Sequence, residues 1–218
     1  QTCALPICNL KSITNEIPKD STFIAVSKQQ STDSIKKAYD FGIIDFGENK
    51  VQELLEKSEE LPKDIRWHFI GHLQRNKVKY IVGKVYLIQS LDSIRLLSEI
   101  EKQYMKQNKV AEALIEINIG KEKSKDGIFL EDLEELIVEI EKCNFVKIKG
   151  LMAIIPKGDE KSSESYFMKM KDIWDNLSYR KFSNISMDYL SMGMSRDYEL
   201  ALKCGANMIK IGRASCRE

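Results

Sequence analysis

The sequence predicts an α/β protein that forms a single (β/α)8 TIM barrel. Short apolar, strand-like runs alternate with amphipathic helical segments along the whole 218-residue chain. There are about eight such runs, and this number in a chain of this length favours a closed barrel over an open sheet. No linker or shift in composition divides the chain. Its 43% of hydrophobic residues is enough for one sizeable core.

The predicted strands are short apolar runs, which are typical of parallel strands buried on both faces. In chain order they cover Phe23–Ser27, Ile43–Phe46, Trp67–Ile70, Val85–Gln89, Ala113–Ile119, Ile148–Ile154, Met187–Leu190 and Asn207–Ile211.

A periodicity of about 3.6 residues predicts helices between these strands. The clearest helices cover Ser34–Asp40, Lys50–Ser58, Ser93–Gln107, Leu130–Lys142 and Ser163–Leu177. Asp92 is the predicted N-cap of the third of these helices, and Ser195 that of a short helix after the seventh strand.

The composition excludes several classes of function. Lys and Arg total 34 and Asp and Glu total 33, so the chain lacks the charge that nucleic acid or an anionic membrane attracts. No apolar run approaches the ~20 residues of a membrane helix. The five cysteines include no CxxC pair and there are only two histidines, so we expect no disulfide framework and no metal site. We therefore expect a cytoplasmic protein, and we also expect it to be a monomer.

Both ends of the chain look foreign. Residues 1–7 and the ending 211–218 read like the translation of a common short-read sequencing adapter. If the adapter begins within codon 210, Lys210 is an artefact as well. Such segments carry no information about the native fold. We therefore expect the barrel to span residues 8–213 and the two ends to be non-native.

The candidate chemistry lies where strands end, because barrel active sites form at the carboxyl ends of their strands. Lys28 follows the first strand, and Asn49 follows the second. Next to apolar neighbours we expect the Lys28 ammonium to be desolvated, which would free its amine for Schiff-base formation.

An anion site is predicted after the seventh and eighth strands. Ser191, Gly193 and Ser195 offer hydroxyl groups and unhindered backbone N–H groups at a helix start, and Gly212 lets the backbone approach a phosphate closely. A lysine amine that faces a phosphate cradle suggests a phosphorylated aldehyde cofactor, namely pyridoxal 5′-phosphate (PLP).

Long motifs support this interpretation. Segments 25–28, 46–53, 67–77, 149–153 and 190–199 resemble the PLP homeostasis protein family of the YggS/PROSC type. The resemblance implies a barrel like the N-terminal domain of alanine racemase, without that enzyme's second β-domain. It also implies PLP on Lys28, phosphate contacts at Ser191, Gly212 and Arg213, and Asn49 near the ring. The predicted cofactor-binding set is Lys28, Asn49, Ser191, Met192, Ser195, Lys210, Gly212 and Arg213, with no catalytic or metal-binding residue.

The chain departs from the family at two places. The family usually has arginine where Lys210 stands, and in the related racemases that arginine faces the pyridine nitrogen. The family also continues past Gly212 with an apolar run, whereas this chain continues with residues 213–218, Arg-Ala-Ser-Cys-Arg-Glu. We therefore expect the closing helix of the barrel to be missing or replaced.

The leading hypothesis is a protein that carries or buffers PLP for PLP-dependent apoenzymes and has no dedicated reaction. One rival is a racemase-like PLP enzyme, which would need a second acid–base group opposite the lysine. Another is a Schiff-base aldolase for sugar phosphates. We expect His68 and His72 to have structural roles. One question stays open: Glu116 and Asn118 line either the barrel mouth or its polar top layer.

Overall fold

The computed structural model describes residues 17–122 and 125–212. It contains a closed barrel of eight parallel strands, each paired with its neighbours in chain order, and the last pairs with the first. The predicted fold class is therefore confirmed. The predicted adapter-derived ends, residues 1–7 and 214–218, and the candidate Arg213 lie outside the described residues.

The strands and helices alternate as the sequence predicts. The strands are β1 Thr22–Val26, β2 Asp45–Glu48, β3 Arg66–Phe69, β4 Leu87–Leu91, β5 Ala111–Glu116, β6 Val146–Met152, β7 Ile185–Met194 and β8 Met208–Ile211. The helices are α1 Thr32–Asp40, α2 Val51–Glu60, α3 Val78–Ile81, α4 Ile94–Lys106, α5 Leu133–Ile140, α6 Glu160–Ser178 and α7 Tyr198–Lys203. Short 3₁₀ turns cover Arg75–Lys77 and Leu130–Asp132.

The main differences from the predicted elements lie at their ends. Strand β7 continues four residues beyond its predicted end at Leu190, to Met194. The N-cap of α4 is Ser93 and not Asp92, since the Ser93 side chain accepts the N–H of Leu96. The N-cap of α7 is Asp197 and not Ser195.

The apolar core has two parts because successive strand residues point to opposite faces. The larger part lies between the strands and the helices around them. The smaller part fills the centre of the barrel and consists of Ile24, Leu87, Leu114, Met152 and Met208. This plug closes the barrel below its upper end, so chemistry is confined to the loops above it.

None of the helices within residues 17–122 and 125–212 has the length and apolar character that crossing a membrane requires.

Candidate cofactor-binding site

A cavity of about 470 Å³ opens at the carboxyl end of the barrel, where β1 lies next to β8. Among the described residues, its lining consists of Val26, Lys28, Gln29, Asn49, Ile70, Ile154, Met194, Ser195, Arg196, Lys210 and Gly212. Five members of the predicted set are thus brought together: Lys28, Asn49, Ser195, Lys210 and Gly212.

The described lining suits an anion that also carries an apolar part. It holds three cationic side chains, those of Lys28, Arg196 and Lys210, and no carboxylate. Its apolar walls come from Val26, Ile70, Ile154 and Met194. Apolar walls with a few converging polar groups are typical of small-molecule sites.

Lys28 lies two residues beyond the end of β1, at the mouth of the cavity. Its side chain is exposed, whereas the preceding Ser27 is buried. The expectation that the Lys28 ammonium is desolvated is therefore wrong, because the strand ends early enough to bring this lysine into solvent. The amine remains accessible to a ligand that enters the cavity.

A buried ionic cluster anchors the backbone on both sides of Lys28. The Lys57 Nζ donates to the Ser27 carbonyl oxygen at 2.8 Å, to Glu48 Oε1 at 2.7 Å and to Glu53 Oε1 at 3.1 Å. The Ser27 hydroxyl donates to the same Glu48 oxygen at 2.6 Å. Lys57 and Glu48 are both almost fully buried, so this pairing is protected from solvent screening.

Glu53 holds the next residue of the same loop. Its Oε1 accepts the backbone N–H of Gln29 at 2.6 Å, and Gln29 adopts a φ of 58°, in the left-handed region. Burial raises the pKa of the Glu53 carboxyl, but the hydrogen bonds from Gln29 and Lys57 outweigh it and lower the pKa overall. For Glu48, burial raises the pKa and the bonds from Lys57 and Ser27 offset this only in part. The cluster fixes the turn that presents Lys28.

Asn49 lines the cavity and carries an unsatisfied polar atom. Its Oδ1 is buried and finds no hydrogen-bond partner within the part of the chain that the structure describes. Gly71 allows the close packing here, since a Cβ at that position would stand 2.4 Å from the Asn49 carbonyl oxygen. Leaving a buried polar atom unpaired is unfavourable, so a water or ligand donor that reached it would stabilise the site.

The ends of β7 and β8 are tied together beside the cavity. The Gly212 N–H donates to Ser195 Oγ at 3.1 Å, and the Ser195 hydroxyl lies 3.2 Å from the Gly212 carbonyl oxygen. Gly193 has a φ of 92°, and a Cβ there would come within 2.6 Å of the Ala201 Cβ. Glycine at this position therefore lets α7 pack against the strand end.

Two residues of the predicted set do not line the cavity within the described chain. Met192 is fully buried in the core between the strands and the helices. Ser191 is also fully buried and points into the barrel, where its hydroxyl donates to Gln89 Oε1 at 2.7 Å and accepts from Lys210 Nζ at 2.9 Å. A hydroxyl hydrogen that is already used in this way has nothing left to give a phosphate. Neither residue lines the described cavity, and the phosphate role of Ser191 and the ligand contact of Met192 stay predictions.

Lys210 and Glu116 are buried ionisable groups near the top of the barrel. Burial lowers the pKa of Lys210 to about 8, although Glu116 and Asp197 act in the opposite direction. Burial raises the pKa of Glu116 to about 8, helped by Asp126 and Asp92 and opposed by Lys210. Both groups therefore change charge in the same pH range.

The structure shows the positions of Asn118, Glu116 and the two histidines. Asn118 shapes the loop after β5, since its side chain bonds to the backbone of Glu122 and Lys125. Glu116 is buried in the barrel. His68 is fully buried and has Asp45 and Gln89 as partners, whereas the exposed His72 lies between Asp92 and Asp126.

Arg196 was missed by the sequence analysis. It follows Ser195 directly, but whether it lines the cavity depends on the direction in which its side chain points. A basic side chain directly beside the predicted anion-binding Ser195 could have indicated it.

Comparisons with known proteins agree with this architecture. Residues 8–216 match the family described as alanine racemase, N-terminal domain. A pyridoxal phosphate homeostasis protein of Aquifex aeolicus (strain VF5) is 43% identical over 191 residues, which cover 87% of this chain and 83% of that protein. A protein of the same name from Helicobacter pylori (strain ATCC 700392 / 26695) is 41% identical over 195 residues, with 87% and 84% covered.

Solved structures give the same result. PipY of Synechococcus elongatus PCC7942, with PLP bound, superposes with a TM-score of 0.86 at 30% identity and covers 94% of this chain and 97% of its own. Alanine racemase of Clostridium difficile 630 superposes with a TM-score of 0.71 at 13% identity, which shows a shared fold; 94% of this chain and 54% of the racemase are covered. The chain therefore belongs to the alanine racemase N-terminal domain family and, within it, to the pyridoxal phosphate homeostasis proteins.

Proposed function

We propose that the barrel, residues 8–213, binds PLP in the cavity beside Lys28 and serves PLP homeostasis. The observation that carries the proposal is the described lining, which combines an accessible primary amine, two further cations, apolar walls and no carboxylate. Sequence kinship to homeostasis proteins and the fold shared with PLP-bound PipY support it.

The residues present fit this cofactor. When bound, PLP supplies an aldehyde that reacts with a primary amine and a phosphate dianion that requires cations. Lys28 provides the amine, at a position fixed by the Lys57 cluster. Asn49 provides an unpaired buried amide oxygen, and Arg196 and Lys210 balance negative charge. Ser195 holds the Gly212 backbone in place at the cavity wall.

Trapping with borohydride tests this assignment. PLP is added to the full chain, borohydride reduction fixes it covalently, and the labelled peptide is identified by mass spectrometry. We expect label on Lys28, and none there in Lys28→Ala or Lys28→Arg. The arginine variant keeps the positive charge and removes the reactive amine. It therefore separates the electrostatic contribution of Lys28 from its reaction with the aldehyde. Lys50→Ala, an exposed lysine that is not part of the described lining, is the matched control and keeps the label.

Label on another lysine in the unaltered chain would contradict the proposal. Sugar phosphates that displace PLP with equal affinity would favour the aldolase hypothesis instead.

We propose carriage rather than a dedicated reaction. A racemase needs a second acid–base group opposite the lysine, and the described lining holds no tyrosine, histidine, cysteine or carboxylate that would serve. We expect the loaded protein to release PLP to a PLP-dependent apoenzyme and to leave L-alanine unracemised. Accumulation of D-alanine at an enzymatic rate would overturn this, and a partner subunit that donates a tyrosine would appear as concentration-dependent activity.

The remaining expectations concern the cellular setting. We propose a cytoplasmic monomer that does not bind nucleic acid or membranes, in keeping with the balanced charge and with the free thiols of Cys143 and Cys204. Sedimentation of the loaded protein and fractionation of cells test these two points.

A further inference from the structure

A chain of hydrogen bonds crosses the apolar centre of the barrel and ends at the cavity. It begins at Asp45, which is paired with Arg66 and lies 2.9 Å (Oδ1) from His68 Nε2. The Gln89 Nε2 lies 3.1 Å from His68 Nδ1, and the Gln89 Oε1 accepts from Ser191. The Lys210 Nζ then lies 2.9 Å from Ser191 Oγ and reaches the cavity lining.

The direction of every hydrogen bond in this chain follows from its first member. The Asp45 carboxylate is paired with Arg66 and can only accept, so His68 must carry its proton on Nε2. Burial lowers the pKa of His68, so the ring is neutral and its bare Nδ1 accepts from the Gln89 amide nitrogen, which turns the amide oxygen towards Ser191. The Ser191 hydroxyl therefore donates to Gln89, and its oxygen lone pairs face Lys210.

We propose that Asp45, His68 and Gln89 are positioning residues that make Ser191 a fixed hydrogen-bond acceptor and so hold Lys210 as a cation at the cavity. An acceptor held in this orientation favours the ammonium over the neutral amine, because a charged N–H donates the stronger hydrogen bond and a hydroxyl fixed as an acceptor cannot donate to the lone pair of the amine. Burial of His68 lowers its own pKa, which agrees with a neutral ring inside the chain. The link to PLP rests on the proposed function, whereas the charge on Lys210 does not.

Other charged groups around Lys210 act together with this chain. Glu116 on β5 and Asp197 before α7 favour its charged form, and burial opposes it. Arg66 and Asp45 lie at the far end and largely compensate each other. Lys28 and Arg196 share the cavity lining with Lys210. None of these charged groups is altered by the substitutions below. The effect of the hydrogen-bond chain on Lys210 can therefore be measured separately from theirs.

The test is an NMR titration of the full chain without added PLP. Lysine labelled with carbon-13 at Cε reports the charge of each amine, and the Lys210 signal is identified by its loss in Lys210→Arg. In Gln89→Leu the Ser191 hydroxyl is released and can turn its hydrogen towards the Lys210 nitrogen. We expect the Lys210 midpoint to fall by up to about one pH unit, because the freed hydroxyl can donate to the neutral amine and no longer favours the ammonium alone.

A second pair of variants keeps the test independent of Gln89→Leu, should that protein fail to fold. Ser191→Ala removes the acceptor and should lower the midpoint in the same way, whereas Ser191→Thr keeps a hydroxyl and should restore it. Leu87→Met is the matched control, since Leu87 lies on the same strand and the same inner face as Gln89. Its midpoint should equal that of the unaltered chain.

A midpoint that stays the same or rises in the folded variants would overturn the proposal. Because no PLP is present, this result does not depend on whether the chain binds the cofactor. Repeating the titration with PLP would show whether the same variants shift the pH dependence of the cofactor's absorbance.

Discussion

Individual charged side chains determine which chemical group of a ligand the cavity binds. Arg196 is the cation that the sequence analysis missed, and it lines the cavity beside Ser195. We expect Arg196→Met to weaken PLP about tenfold while pyridoxal binding stays nearly unchanged, since only PLP carries the phosphate. Lys203→Met, an exposed cation on α7 outside the described lining, is the control for nonspecific charge effects. Equal losses for both ligands would show that Arg196 does not hold the phosphate.

Replacing Lys210 tests how its charge affects the bound cofactor. Burial lowers the pKa of Lys210 to about 8, so its charge falls as the pH rises through that value. An arginine at the same position stays charged. We expect the absorbance spectrum of bound PLP to change near pH 8 in the unaltered chain and to stay constant there in Lys210→Arg, with tighter binding. Identical pH profiles would mean that residue 210 does not influence the ring.

The site residues that follow strand ends could be predicted from sequence because their position depends only on the local pattern. Lys28 and Asn49 are examples. Ser191 and Met192 lie within a strand and not after it, because β7 continues to Met194. Residues within a strand alternate between its faces, so Ser191 points into the barrel and Met192 points to the helices. The Gln89–Ser191 contact joins residues 102 positions apart, and no local pattern in the sequence could reveal it.

Elements were easier to predict than their ends. Alternation of apolar runs and amphipathic segments is repeated along the chain, so the eight strands were identified although their limits shifted by a few residues. The caps depended on a choice between neighbouring polar residues, Asp92 or Ser93, that only the backbone geometry decides. Helix α3 was not predicted because a helix of four residues carries too little periodicity.

The turn after β1 depends on helix α2 through Lys57. The substitution Lys57→Met leaves Glu48 and Glu53 without their cation. We therefore expect urea denaturation to show that the free energy of unfolding is lower by about 3–5 kcal/mol. PLP trapping on Lys28 should also slow down. Lys36→Met is the matched control, because Lys36 forms an exposed i,i+4 pair with Asp40, and such pairs contribute less than about 1 kcal/mol. Similar losses in both variants would contradict a special role for the buried cluster.

The stability of the whole molecule should depend on pH through Glu116. Burial raises the pKa of Glu116 from 4.5 to about 8, so between these values the folded protein binds a proton that the unfolded chain releases. The free energy of unfolding therefore falls as the pH rises through this range. We expect Glu116→Gln to raise Tm by about 3 °C or more at alkaline pH. Near pH 4.5 the variant should melt almost like the unaltered chain.

Calorimetry at both pH values checks this prediction. An equal gain at both would assign the effect to packing, and a loss at alkaline pH would show that the Glu116 carboxylate stabilises the fold through Lys210.

The pairing of β1 with β8 has a consequence for biosynthesis. Residues 22–25 pair with residues 208–211, so the barrel stays open until almost the entire described chain has left the ribosome. Until then both edge strands expose unpaired backbone groups to other nascent chains, and forming contacts so distant in sequence is slow. Lys28 and Gly212 lie on either side of this seam, so the cavity does not exist before the seam closes. A cofactor that binds there would selectively stabilise the last step of folding, and its supply during translation would raise the yield of native protein.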